Sequence, residues 1–107
     1  MEINILIHGN SEGFNSEFMQ YLSKNLRKDG KEICGFDFAY ITNNSSPSQN
    51  LKNEIEQLNE IVKKYQNFGY SKINLIGKSL GGTICLDSSI IKNPNVNKVV
   101  IVGFPII

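Results

Sequence analysis

The sequence has no tryptophan, three prolines, two cysteines and a single histidine. Cys34 and Cys85 lie far apart, without a C-x-x-C pair or histidine-rich company, which excludes a disulfide framework and argues against zinc or redox chemistry. Both are expected to be buried small side chains. No apolar run reaches the roughly 20 residues that would span a bilayer. Nor is one sign of charge in excess: eleven basic residues face ten acidic ones, for a net charge of +1. The lysines are scattered, so neither nucleic acid nor an anionic membrane surface is an expected partner. After Met1 there is no basic segment followed by an apolar one, so no secretory leader is read and a cytoplasmic location is the default. No metal ligand set and no organic cofactor are implied.

What the chain does contain is an ordinary globular composition, 40% hydrophobic and 20% charged over 107 residues, which fits one domain with a small core. Its most informative stretch is Lys72-Ile73-Asn74-Leu75-Ile76-Gly77-Lys78-Ser79-Leu80-Gly81-Gly82. An apolar run stops at a G-x-S-x-G-G turn, and Thr83-Ile84-Cys85-Leu86 then opens a buried helix. A serine on such a strand-to-helix bend needs neighbours without a Cβ two places before and after it. Gly77 and Gly81 fill those places, and Gly82 lets the helix lie close to the sheet. Ser79 is thereby placed at the amino end of a helix, where backbone N–H groups favour a developing negative charge.

The rest of the chain reads as alternating strands and helices. Ile3 to Ile7 is a strand buried on both faces that ends at His8-Gly9, followed by a loop from Asn10 to Gly13. Phe18, Met19, Leu22 and Leu26 recur at helical spacing, with Asn15 or Ser16 as cap and Gly30 as stop. A second strand is expected over Ile33 to Ile41, with Phe36 and Phe38 on one face and Asp37 on the other. Thr42 to Ser46 is a polar loop. Ser46-Pro47-Ser48-Gln49 reads as a capping box, ahead of an apolar stripe of Leu51, Ile55, Leu58, Val62 and Tyr65 that ends near Phe68-Gly69. A third helix is expected from the elbow through Ile90-Ile91, with Asp87 inside it, stopped by Asn93-Pro94. Lys98 to Gly103 is the fourth strand. The fold class is therefore α/β: a parallel sheet of about four strands with three crossover helices on both faces.

These residues resemble the α/β-hydrolase superfamily, and within it the small dienelactone-hydrolase-like members. Ile5-Leu6-Ile7-His8-Gly9 looks like the strand and H-G loop that carries part of the oxyanion hole. Gly35-Phe36-Asp37-Phe38-Ala39-Tyr40 looks like the next strand's F-D-F segment. Gly77-Lys78-Ser79-Leu80-Gly81-Gly82 looks like the nucleophile elbow, and Val102-Gly103-Phe104-Pro105 like the strand after it. The resemblance implies a serine hydrolase acting on an ester, thioester or related acyl bond of a small molecule. Ser79 is its nucleophile, the Leu80 N–H one oxyanion donor, and the loop at His8, Gly9 and Asn10 the source of a second.

Members of that superfamily carry an acid and a histidine on loops after later strands. Here no acidic residue follows Asp87 and the one histidine lies upstream. The expectation is a single hydrolase-like domain over residues 1–107, incomplete at its carboxyl end and inactive alone. A non-catalytic binding or scaffold module is the alternative. Each residue also has a plainer reading. Ser79 could merely cap a helix. Gly77-Lys78-Ser79 could end a phosphate-binding loop, but its first glycine would fall at Lys72 and a hydrophobic strand leaves no cradle. Lys78 is read as packing or solvent-facing. His8 could act as base, though the resemblance gives it a structural part in the oxyanion loop; Asp37 and Tyr40 are read as loop-packing or hydrogen-bonding. In the resembling fold the strand over 98–103 lies at the edge, so self-association through it is expected.

Overall fold

The computed structural model describes residues 1–103. Strands β1 (Glu2–Ile7), β2 (Ile33–Gly35), β3 (Lys72–Lys78) and β4 (Val96–Val102) form one parallel sheet in the order β2-β1-β3-β4. β4 is the edge expected from the sequence, two residues longer at its start. Phe104 and Pro105, which end the segment resembling the strand after the elbow, lie outside the described residues.

Alternation along the strands divides the sheet's two faces. Ile3, Ile5 and Ile7 of β1 join Ile73 and Leu75 of β3 in one core cluster. Leu58 and Val62 of helix α3 (Lys52–Asn67) complete it with Ile84 of α4 (Leu80–Cys85) and Ile90 of α5 (Ser88–Ile91). Leu6, pointing the other way, is fully buried outside that cluster, as is Met19 of helix α1 (Glu17–Lys28). Helices thus cover both faces, as right-handed crossovers require when the strand order reverses direction at β1.

Four expectations are corrected. The second strand stops at Gly35 instead of Ile41, because its partner β1 ends at Ile7 and no ladder continues beyond Leu6↔Gly35; Ala39–Thr42 instead turns into the short helix α2. The third helix is two helices, since Asp87 is not inside it but caps α5, accepting a hydrogen bond from the Ser89 N–H at 3.1 Å. The capping box is Ser48 with Glu54, not Ser46 with Gln49. A 3-10 turn over Gln49–Leu51, with Asn50 and Leu51 at φ 55 and 58, delays the start of α3, so the Ser48 hydroxyl reaches the Asn53 N–H at 2.9 Å and Glu54 accepts from Ser48. Finally, Cys85 is buried as expected but Cys34 is only half-buried.

One polar feature explains why asparagines interrupt the apolar strands. On the face opposite the main core cluster, Asn74 donates to Glu2 Oε2 at 2.7 Å and to Asn4 Oδ1 at 3.1 Å, and accepts from Asn97 at 3.1 Å. Asn4 in turn donates to the Glu32 carbonyl at 3.2 Å. These bonds link β4, β3 and β1 to the entry of β2, and both Asn4 and Asn74 are buried. Asn74→Ala strands the buried Asn4 carbonyl oxygen, and is expected to cost about 1–3 kcal/mol in urea unfolding.

Candidate active site

The elbow is built by close approach. Ser79 sits between β3 and α4 at φ 53, ψ −112, a positive φ that is uncommon outside glycine and strained for a side-chain-bearing residue. A Cβ on Gly77 would come within 2.6 Å of the backbone of Gly81 and Gly82. One on Gly81 would come within 2.5 Å of the Ile7 carbonyl oxygen and 2.6 Å of that of His8, and one on Gly82 within 2.5 Å of Ile101. All three glycines are thus required by contact, as the motif predicts. The Ser79 N–H donates to the Val102 carbonyl at 3.1 Å, tying the bend to β4.

Ser79 stands at the N-cap position of α4, yet its side chain makes no capping hydrogen bond. The helix is closed there by backbone alone, with Gly82 N–H donating to the Ser79 carbonyl at 2.9 Å. The capping interpretation therefore does not account for the residue. Ser79 lines a cleft of about 180 Å³ together with Gly9, Asn10, Ser11, Glu12, Ser16 and Lys78. Leu80 opens α4, so its N–H has no acceptor within the helix and is available beside Ser79. The sheet thus brings the two sequence-predicted halves together: the loop after β1 and the elbow after β3 face each other across this cleft.

His8 is fully buried. Its Nε2 accepts from the Phe38 N–H at 3.0 Å, so the ring proton is on Nδ1, which donates to the Gly9 carbonyl at 2.7 Å. Both nitrogens are committed, and neither is free to take a proton from Ser79. Phe38 packs edge-on at a ring separation of 5.0 Å and Tyr40 at 5.7 Å. Burial pulls the imidazole pKa below its usual value, against the opposing Gly9 hydrogen bond and Asp37 charge. The folded state therefore favours neutral His8. Stability is complete above the ordinary value of 6.5 and declines as pH falls through the lowered folded-state pKa. Urea midpoints measured from pH 7.5 down to 5 should fall.

Asp37 and Tyr40, ambiguous in sequence, both hold the loop after β1. Asp37 Oδ1 accepts from the Phe14 N–H at 2.6 Å, and Tyr40 donates its hydroxyl to the Gly9 carbonyl at 3.0 Å. Burial, with a smaller contribution from the Glu54 charge, pushes the Tyr40 phenol up to about 12, so it remains a donor throughout the neutral range. Lys78 lines the cleft and its Nζ lies 4.9 Å over the Phe18 ring, which makes it a packed cation. Cys85 offers no rival nucleophile, because burial raises its thiol to about 12 and keeps it protonated. A larger hollow of about 480 Å³ beside Gln49, Asn50 and Ile55 contains neither Ser79 nor the loop after β1. Among the described residues no cluster of three or more His, Cys, Asp or Glu side chains could hold a metal ion, and no helix is long and apolar enough to cross a membrane.

A family model described as an alpha/beta hydrolase domain matches residues 2–107. No curated protein and no solved structure matches the chain.

Proposed function

Since the chain belongs to the alpha/beta hydrolase domain family, we propose that it carries the nucleophile and oxyanion hole of a serine hydrolase acting on an ester, thioester or related acyl bond. The observation that carries this reading is Ser79 itself: a strained positive-φ serine whose hydroxyl caps nothing and which lines a cleft between two loops. A scaffold module would have no use for that strain, which costs on the order of 1–3 kcal/mol.

In the proposed reaction Ser79 Oγ attacks the acyl carbon while a base takes its proton. The Leu80 N–H and the N–H groups of the Gly9-Asn10 loop hold the oxygen as it becomes negative. The carbonyl re-forms, the leaving group departs with a proton, and water releases the acyl group from Ser79 by the reverse sequence. His8 does not serve as the base, with both ring nitrogens engaged. The G-K-S-L-G-G elbow and the Phe36-to-Tyr40 segment support a likeness to the small dienelactone-hydrolase-like enzymes as part of this proposal, and the free thiols of Cys34 and Cys85 fit a cytoplasmic setting.

Exogenous base tests the reading directly. Residues 1–107 incubated with p-nitrophenyl acetate in imidazole buffer should acquire one acetyl group on Ser79, read by peptide mass, at a rate that rises with imidazole. No acetyl-Ser79 at any imidazole concentration would overturn the proposal.

The β4 edge belongs to the same picture. Val100 is 47% exposed on a strand with no outer neighbour among the described residues, and such an edge pairs readily with a further strand. Sedimentation of residues 1–107 is expected to show concentration-dependent association that Val100→Lys reduces.

A further inference from the structure

The carbonyl oxygen of Gly9 is gripped twice from inside the fold. His8 Nδ1 donates to it at 2.7 Å, and the Tyr40 hydroxyl reaches the same oxygen at 3.0 Å from α2, thirty-one residues away in sequence. Both donors are buried. A trans peptide is planar, so its C=O and N–H point in opposite directions, and no peptide in the described chain is cis. With the Gly9 oxygen fixed inward, the Asn10 N–H of the same peptide must point outward. Asn10 lines the cleft that contains Ser79. A Cβ on Gly9 would lie 3.4 Å from the Lys78 carbonyl oxygen and 3.8 Å from Ser79 Cβ, so this peptide runs against the elbow.

We infer that Tyr40 is a positioning residue: its hydroxyl, together with His8, locks the Gly9-Asn10 peptide so that the Asn10 N–H is the second oxyanion donor opposite the Leu80 N–H. The inference rests on the hydrolase reading for the purpose of the donor, though not for its orientation. His8 holds this oxygen from the adjacent residue, with its own ring fixed by the Phe38 N–H at 3.0 Å. Tyr40 anchors the peptide to a separate element. The rest of the loop has its own anchor in the Asp37 bond to the Phe14 N–H at 2.6 Å. Removing the Tyr40 hydroxyl should therefore free this one peptide and leave the remainder of the loop in place.

Tyr40→Phe keeps the ring that packs against His8 and Phe38 and removes only the donor. Two measurements on 15N-labelled residues 1–107 separate the outcomes. Residual dipolar couplings report the Asn10 N–H direction without reference to chemistry: in Tyr40→Phe that coupling should change and its relaxation should show microsecond-to-millisecond exchange, while the Phe14 coupling stays as in the parent. An unchanged Asn10 coupling overturns the inference. Titration with phenylboronic acid reports the purpose. Boron bonds to Ser79 Oγ, the hydroxyl proton leaves to buffer, and the tetrahedral anion should shift the Asn10 and Leu80 amides in the parent but not in Ser79→Ala. Tyr40→Phe should weaken this adduct about tenfold. Equal affinity in parent and Tyr40→Phe would show that the lock does not serve the oxyanion. Should boronate leave both amides unmoved in the parent, the hydrolase reading fails, and the dipolar couplings still decide what orients the peptide.

Discussion

Gly81→Val should leave the chain unfolded at room temperature, whereas Gly30→Ala should fold with a loss of only about 1 kcal/mol. Both glycines look alike in sequence, each closing or opening a helix. The difference is what surrounds them. A Cβ on Gly81 meets the carbonyl oxygens of Ile7 and His8 at 2.5 and 2.6 Å. These are backbone atoms of the central strand, so relief would require α4 to move off the sheet and take Ile84 and Cys85 out of the core. Gly30 has positive φ but nothing within 4 Å of its missing Cβ, so an alanine there meets strain and no clash. A domain of this size has on the order of 5–15 kcal/mol in total, and a small core lies toward the lower end of that range, so a loss of about 5 kcal/mol or more at Gly81 leaves the chain unfolded. Far-ultraviolet circular dichroism through a urea series distinguishes the two variants.

Ser79→Gly is expected to abolish acylation and, at the same time, to raise stability by about 1 kcal/mol. The sign follows from two opposing effects. Relieving a side chain held at φ 53, ψ −112 is worth on the order of 1–3 kcal/mol. Glycine returns roughly 0.5–1 kcal/mol of that through the greater freedom of the unfolded chain. Nothing else is lost, since the hydroxyl makes no capping bond and the bonds at the elbow are to backbone atoms that glycine keeps. A residue retained at a conformational cost, where the simpler residue folds better, is the mark of a site shaped for chemistry. If Ser79→Gly lowered the urea midpoint, the strain argument would fail.

The elbow could be read from sequence because its requirements are local. Strand, bend and helix are contiguous, and the three glycines sit at fixed offsets from Ser79. The edge position of the fourth strand came instead from the resemblance to the α/β-hydrolase superfamily, and the sheet order β2-β1-β3-β4 agrees with it. What the residues did not disclose was set by partners distant in the chain. Phe36 and Phe38 alternate as in a strand, but Phe38 turns in to meet His8, and that contact exists only once β1 and the segment after β2 lie side by side. Tyr40 and Asp37 were ambiguous for the same reason: their acceptor and donor, Gly9 and Phe14, come from another loop. One boundary carries a local signal and one does not. Asp87 followed by Ser88 and Ser89 is an N-cap pattern inside an apolar run, and Glu54 lies beyond the usual capping-box spacing only because Asn50 and Leu51 adopt left-handed conformations.

The division of labour between His8 and Ser79 is the centre of this account, and labelling with a fluorophosphonate, followed by intact mass, addresses it most directly. On residues 1–107 alone the reaction at Ser79 should be slow and far from stoichiometric, should accelerate when imidazole is added, and should respond to His8→Gln no more than to Tyr40→Phe. Rapid, stoichiometric labelling without imidazole, abolished by His8→Gln in a protein that remains folded, would make His8 the base and contradict the account.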